Sequence, residues 1–330
     1  MNTTVNILEG NTFVTSDERG DIAGTPAHPH GLFAFDTRFL SRWSLTADGQ
    51  PLATLSVDDL AYNEAQFFLA PATGSTYIDA PLSMIRRRTI GREMRERISV
   101  MNHTTEPKTL QLHLQAEADF ADLFEVKDAL DKKGEQYSHV EFDRLVLGYR
   151  RDEYVRETHI IGGPDAEIAS NGLTYEVALE PHGEWSAEIE VRPIMPGFGA
   201  FGDAAAQAPS RREDLERWIA EAPHLTADWR PIERIYERSL VDLAALRFHL
   251  PRSEWQEMPA AGLPWFMAAF GRDSLITSYQ ALPFVPGLAE MTLRTLAALQ
   301  GTKPDDFRDE EPGKILHELR FGEIDRKSVV

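Results

Sequence analysis

The sequence predicts a chain that is β first and α second: an antiparallel β-sandwich over residues 1–205, a linker with a short helix over 206–230, and helical hairpins from 231 onward. Three observations carry this. Period-two alternation with turn dipeptides fills the first two thirds. The apolar spacing becomes helical after Pro231. Between them lies Gly202–Ser210, small and polar, a linker by composition.

Apolar runs over Val5–Val14 flank Glu9-Gly10-Asn11, a hairpin turn signal. Phe39–Leu55 breaks at Asp48-Gly49, the dipeptide that tolerates positive φ at both positions of a type I′ turn. Leu110, Leu112, Leu114 and Ala116 alternate with Gln111, His113, Gln115 and Glu117. Trp185, Ala187, Ile189 and Val191 alternate with Ser186, Glu188, Glu190 and Arg192. Burial of one face in this way suits two sheets packed face to face. Arg211–Ala220 reads as a short charged helix. Ile232, Ile235, Tyr236, Leu243 and Leu246 form one apolar stripe, with Pro231 at the first helical position. A second helix is expected from Asp273 or Ser274 to about Leu282, and a third over about Gly287–Gln300, ending at Gly301.

The 330 residues include 34 Lys+Arg and 53 Asp+Glu, a net charge of −19. That acidity argues against nucleic acid and against anionic lipid, and leaves a neutral polar partner such as a sugar unpenalised. With 42% hydrophobic residues a full core is available. The absence of cysteine excludes disulfides, thiol nucleophiles and thiolate metal sites. The N-terminus shows no signal-peptide pattern and no run approaches the ~18 apolar residues of a membrane span. A cytoplasmic protein is expected.

Two stretches bear chemistry. In Gly262–Thr277, a Pro264-Trp265 pair and Gly271-Arg272-Asp273 stand before a helix. An indole offers a flat apolar face to a pyranose ring, while Arg272 and Asp273 supply donors and acceptors for sugar hydroxyls. The plainer alternative makes Asp273 an N-cap, pairs Arg272 with a carboxylate and puts Trp265 in the core. In Asp305–Glu323, five or more carboxylates crowd toward His317 and Arg320. A glycosidase needs two carboxylates with separated pKa values; a solvated acidic loop is the alternative. His28-Pro29-His30 lacks partners at metal-ligand spacing. Arg86-Arg87-Arg88 with Arg92, Arg95 and Arg97 form a basic patch expected to pair with Glu93, Glu96 or the acidic surface. No phosphate loop, nucleophile elbow or dinucleotide fingerprint is present.

Gly31–Trp43, Ala118–Val126, Leu263–Phe266 with Phe270–Ile276, and Glu310–Glu323 together resemble bacterial glycogen-debranching enzymes of the amylo-α-1,6-glucosidase type. The resemblance spreads in order over nearly the whole chain. It implies an N-terminal β-sandwich domain followed, over 231–324, by the first helices of an incomplete (α/α)6 barrel. It further implies hydrolysis of α-glucan branch points without a cofactor. Arg272 and Asp273 would line the glucose subsite beside Trp265. Glu318 and Arg320 would stand on the next barrel loop. The catalytic acid and base are expected beyond Val330, so the chain is expected to be an inactive N-terminal fragment. One coding of Asp325–Val330 matches the start of a common sequencing adapter, which makes 325–330 an expected artefactual tail. The rivals are another hydrolase on the same scaffold, of trehalase-like or glucosylglycerate type, and a non-catalytic glucan-binding module.

Overall fold

The computed structural model describes residues 4–25, 28–71, 80–196, 211–250, 257–306 and 308–323. The expected linker at 202–210 and tail at 325–330 lie outside the described residues. The chain divides into two compact units, Met1–Met195 and Pro196–Val330.

The first unit is built from antiparallel strands. A four-stranded sheet takes Val5–Glu9, Thr12–Ser16, Gly31–Ala34 and Thr37–Leu40 in chain order. A thirteen-stranded sheet runs through Glu135–Glu141, Arg144–Arg151, Tyr154–Ile161, Glu184–Ile194, Met94–Asn102, Leu82–Ile90, Glu64–Pro71, Gln50–Ala61, Arg42–Ala47, Lys108–Glu117, Gly172–Leu179 and Glu167–Ala169. Ile22–Ala23 adds to Arg42–Ala47. The long path folds over on itself. Trp43, from one half, donates its indole N–H to Glu96 of the other at 3.3 Å. The Tyr175 ring meets Trp185 edge-on at 5.3 Å. Two sheet faces thus enclose one core, the sandwich that the alternation predicts.

Local chemistry explains the turns. Asp48 and Gly49 both take positive φ, 49° and 74°, between the paired residues Ala47 and Gln50. Gly10, at φ 56°, closes the first hairpin. The row Leu110, Leu112, Leu114 and Ala116 is buried. Two stretches singled out in the sequence meet inside this unit. Arg38 pairs with Asp119, Phe39 packs edge-on against Phe120, and Asp122 caps helix α1 (Leu123–Asp128) through a capping box with Glu125. These residues organise the core.

The arginine run pairs with Glu96, as the sequence predicts, and does so in the interior. Alternation turns Arg86 and Arg88 inward on Leu82–Ile90, where both are fully buried, and leaves Arg87 outside, paired with Glu64. Arg86 Nε and Arg88 Nε donate to the two oxygens of buried Glu96 at 2.9 and 2.7 Å. Arg86 also reaches Asp21 at 2.6 Å, and Arg88 donates to the Gly20 carbonyl at 2.6 Å. Burial would push the Glu96 carboxyl up, but the charges of Arg86 and Arg88 outweigh it and hold it below the ordinary carboxylate range. Burial holds Arg88 below the ordinary guanidinium value, while the charges of Glu96 and Asp21 outweigh burial and raise Arg86.

The second unit holds α2 (Arg211–Glu221), α3 (Arg230–Ala245), α4 (Gly271–Ala281) and α5 (Pro286–Ala298). Trp218 of α2 donates to the Leu240 carbonyl at 3.2 Å and packs with Leu240, Ala244, Ala281, Val285 and Leu288. The predicted stripe on α3 is covered only in part. Leu240 and Ala244 are buried and Tyr236 and Leu243 pack against the same cluster, whereas Ile232 and Ile235 are exposed. Helix α4 begins two residues earlier than predicted, since Phe270 leaves extended backbone directly into Gly271. Ile276, Tyr279 and Leu293 also stand in solvent. No ring of paired helices forms among the described residues, and no described helix is long and apolar enough to cross a membrane.

Candidate functional site

Phe270 organises the candidate site. It sits on the short strand Ala269–Phe270, paired antiparallel with Glu318–Leu319, so Phe270 lies opposite Glu318. Gly271 then opens α4 and donates its N–H to the His317 carbonyl at 3.0 Å. A Cβ on Gly271 would fall 2.1 Å from the Leu316 oxygen; only glycine lets the two segments approach this closely. The pairing brings the two chemistry-bearing stretches of the sequence side by side.

Trp265 lies in a tight loop in which Phe266 N–H donates to the Gly262 carbonyl at 3.0 Å. Its residue is half-buried rather than core. Arg320 is buried, and its guanidinium donates from Nη2 to the Trp265 carbonyl at 3.0 Å and from Nε to Glu318 at 2.9 Å. It also lies over the Phe270 ring, 5.6 Å from the centroid. Phe266 and His317 both approach Phe270 edge-on, at 6.0 and 6.3 Å. Arg320 is therefore a clamp for the loop that carries Trp265.

Arg272 and Asp273 occupy the first turn of α4. Asp273 is not the N-cap; that position is Phe270, without a side-chain bond. Arg272 is exposed, and neither it nor Asp273 has an ion pair among the described residues. The first-turn N–H groups carry partial positive charge, which an acidic residue at this position complements.

A groove of about 600 Å³ lies beside this turn. Arg272, Leu275 and Ile276 of α4 form one wall, with Arg308, Lys314 and His317 opposite. Of the five residues singled out, Arg272 lines it; Trp265, Asp273, Glu318 and Arg320 surround the adjoining strand pair. His317 was singled out in the sequence, but its approach to α4, like that of Lys314, depends on a strand pair of two residues. The predicted convergence of carboxylates toward His317 and Arg320 is not formed. Asp309 pairs with Lys314 at 2.7 Å, and Glu310 accepts the Thr302 N–H at 2.8 Å. That bond outweighs burial and, with help from Lys303, holds the Glu310 carboxyl below its ordinary range. Most of these acids fold the loop. No group of three potential metal ligands occurs among the described residues, His28 and His30 included.

Residues 7–190 match the family described as the N-terminal domain of (some) glycogen debranching enzymes. The chain belongs to this family. No curated protein matches the chain. Among solved structures, a candidate kojibiose phosphorylase from human microbiome aligns over 90% of this debranching-family chain with a TM-score of 0.56 at 10% identity. The chain covers 42% of that protein's length. A candidate aldose 1-epimerase from Escherichia coli K12 aligns over 58% of this chain and 99% of its own, at 9% identity and TM-score 0.34. At such identity the first likeness bears on fold alone. The debranching-family domain is the antiparallel sheet unit; the groove lies outside the matched residues.

Proposed function

We propose that this chain is part of an α-glucan debranching glycosidase and that its second unit contributes a glucose-binding subsite. The observation that carries the reading is the Arg272–Asp273 turn, without an ion pair among the described residues, at a groove next to an indole loop held by Arg320. An exposed guanidinium with no ion-pair partner among the described residues retains its donors for hydroxyls. Trp265 supplies an apolar face to a sugar ring, and Arg320 sets its position. Helices α3 to α5 are read as the first of an (α/α)6 barrel, and their exposed apolar side chains as faces that further helices cover. In the complete enzyme two carboxylates act on the bond. One protonates the leaving oxygen and the other activates water, an inverting arrangement that asks for a separation of about 6.5–9.5 Å.

Two measurements test this. Titration with maltoheptaose should show binding that Arg272→Ala weakens about tenfold and that Trp265→Ala weakens comparably; unchanged affinity in both variants refutes the subsite. A full-length homologue should release glucose from glycogen limit dextrin with or without inorganic phosphate. A strict phosphate requirement would make it a phosphorylase instead.

A further inference from the structure

The outer face of the large sheet carries a second cluster of sugar-compatible side chains, remote in sequence from the groove. Tyr137, on the edge strand Glu135–Glu141, lies opposite Gly148, which lies opposite Glu157 on the next strand but one. Its ring crosses the intervening strand directly over Gly148; a Cβ there would come within 2.1 Å of the ring. The phenol donates to Glu157 Oε1 at 2.7 Å, and His159 Nε2 lies 2.8 Å from Glu157 Oε2. His139, exposed and two residues along the same face, holds its ring within 19° of the Tyr137 plane, centroids 6.2 Å apart.

The result is an aromatic strip bordered by a carboxylate and imidazoles on an open sheet face. The glycine at 148 makes room for a ring to lie across the sheet, and Glu157 fixes its tip. A pinned ring offers contact area at low entropic cost. Burial and the bond to Glu157 push the Tyr137 phenol up to about 12. Burial would raise the Glu157 carboxyl, but Tyr137 and His159 outweigh it and hold it low. Around neutrality Tyr137 therefore remains a donor and Glu157 an acceptor. Each Glu157 oxygen still has a free lone pair for a hydroxyl.

We propose that Tyr137, His139, Glu157 and His159 form a non-catalytic saccharide-binding platform, separate from the groove. That the sugar is an α-glucan rests on the function proposed above; the platform itself does not.

The test is electrophoresis of the full chain through native gels containing glycogen or, in parallel, xylan. Glycogen should retard the wild type. His139→Ala, which removes an exposed ring, and Tyr137→Ser should each lower the apparent affinity at least fivefold, while Tyr137→Phe stays within about twofold. Melting curves establish that the variants are folded. The double variant Trp265→Ala, Arg272→Ala should keep most of the retardation. Retardation that survives both His139→Ala and Tyr137→Ser, or is absent in both polymers, overturns the platform. Loss confined to the Trp265/Arg272 double variant overturns it too and leaves the groove reading standing. Tyr137-dependent retardation by xylan but not glycogen upholds the platform and removes the glucan assignment.

Discussion

The guanidinium of Arg320 donates to the main-chain oxygen of Trp265 at 3.0 Å, joining residues 55 positions apart in the chain. The same side chain reaches Glu318 and covers Phe270. A single planar fork thus connects a loop, a strand and an aromatic ring. Arg320→Lys should not restore what Arg320→Ala loses, because a lysine has one charged nitrogen and no fork. Both variants should destabilise the second unit by about 1–3 kcal/mol, and both should make Trp265 more accessible to acrylamide. Wild-type quenching in Arg320→Lys would count against the clamp.

Two glycines at helix starts should respond in opposite directions. At Gly271 a methyl would meet the Leu316 oxygen at 2.1 Å, whereas at Gly287 nothing lies within 4 Å. Gly271→Ala should cost about 3 kcal/mol through overpacking. Gly287→Ala should gain about 0.4–1 kcal/mol by restricting the unfolded chain. Urea denaturation of the two variants decides it; similar midpoints would contradict the close approach.

Glu96 should govern the acid limb of stability in the first unit. Its carboxyl is held below the ordinary value of 4.5 in the folded state, against burial, by Arg86 and Arg88. The unfolded chain therefore binds the proton more readily. The stabilisation is complete above about pH 4.5 and is lost as pH falls through the lower, folded-state value. Glu96→Gln should remove this part of the pH dependence and cost about 3–5 kcal/mol at neutrality, since two buried guanidinium groups lose their counter-charge. Denaturation curves from pH 3 to 7 give the answer; an unaltered acid limb would be inconsistent with the assignment.

Local features of the fold were readable in the residues themselves. Asp48-Gly49 fits its turn because both positions require positive φ, and the row Leu110 to Ala116 shows its buried side by alternation alone. Pairing of the arginine run with nearby Glu96 was legible and is formed, whereas Asp21, 65 positions from Arg86, gave no local signal. Strand order was hidden, since pairing of Met94–Asn102 with Glu184–Ile194 leaves no local trace. On α3 the stripe was legible at Tyr236 and Leu243, but partners in α2, α4 and α5 decide that Leu240 and Ala244 are buried and Ile232 and Ile235 are not. At the groove, Arg272 was legible from its motif. His317 was named in the sequence, but its place across the groove with Lys314 was not legible, because backbone pairing at Glu318 delivers both.

The strand Gln50–Ala61 belongs to both faces of the sandwich: Gln50 and Pro51 pair with one half of the sheet, and the remainder, with register breaks between Thr54 and Ser56 and between Asp59 and Ala61, pairs with the other. A one-residue insertion or deletion there reverses inside and outside for whichever portion follows it. Leu52 and Ala65 could not both keep their sides unless a break absorbed the extra residue. This segment should therefore accept length changes in pairs or at its two irregular points, which makes odd and even insertions a parity meter for the whole domain.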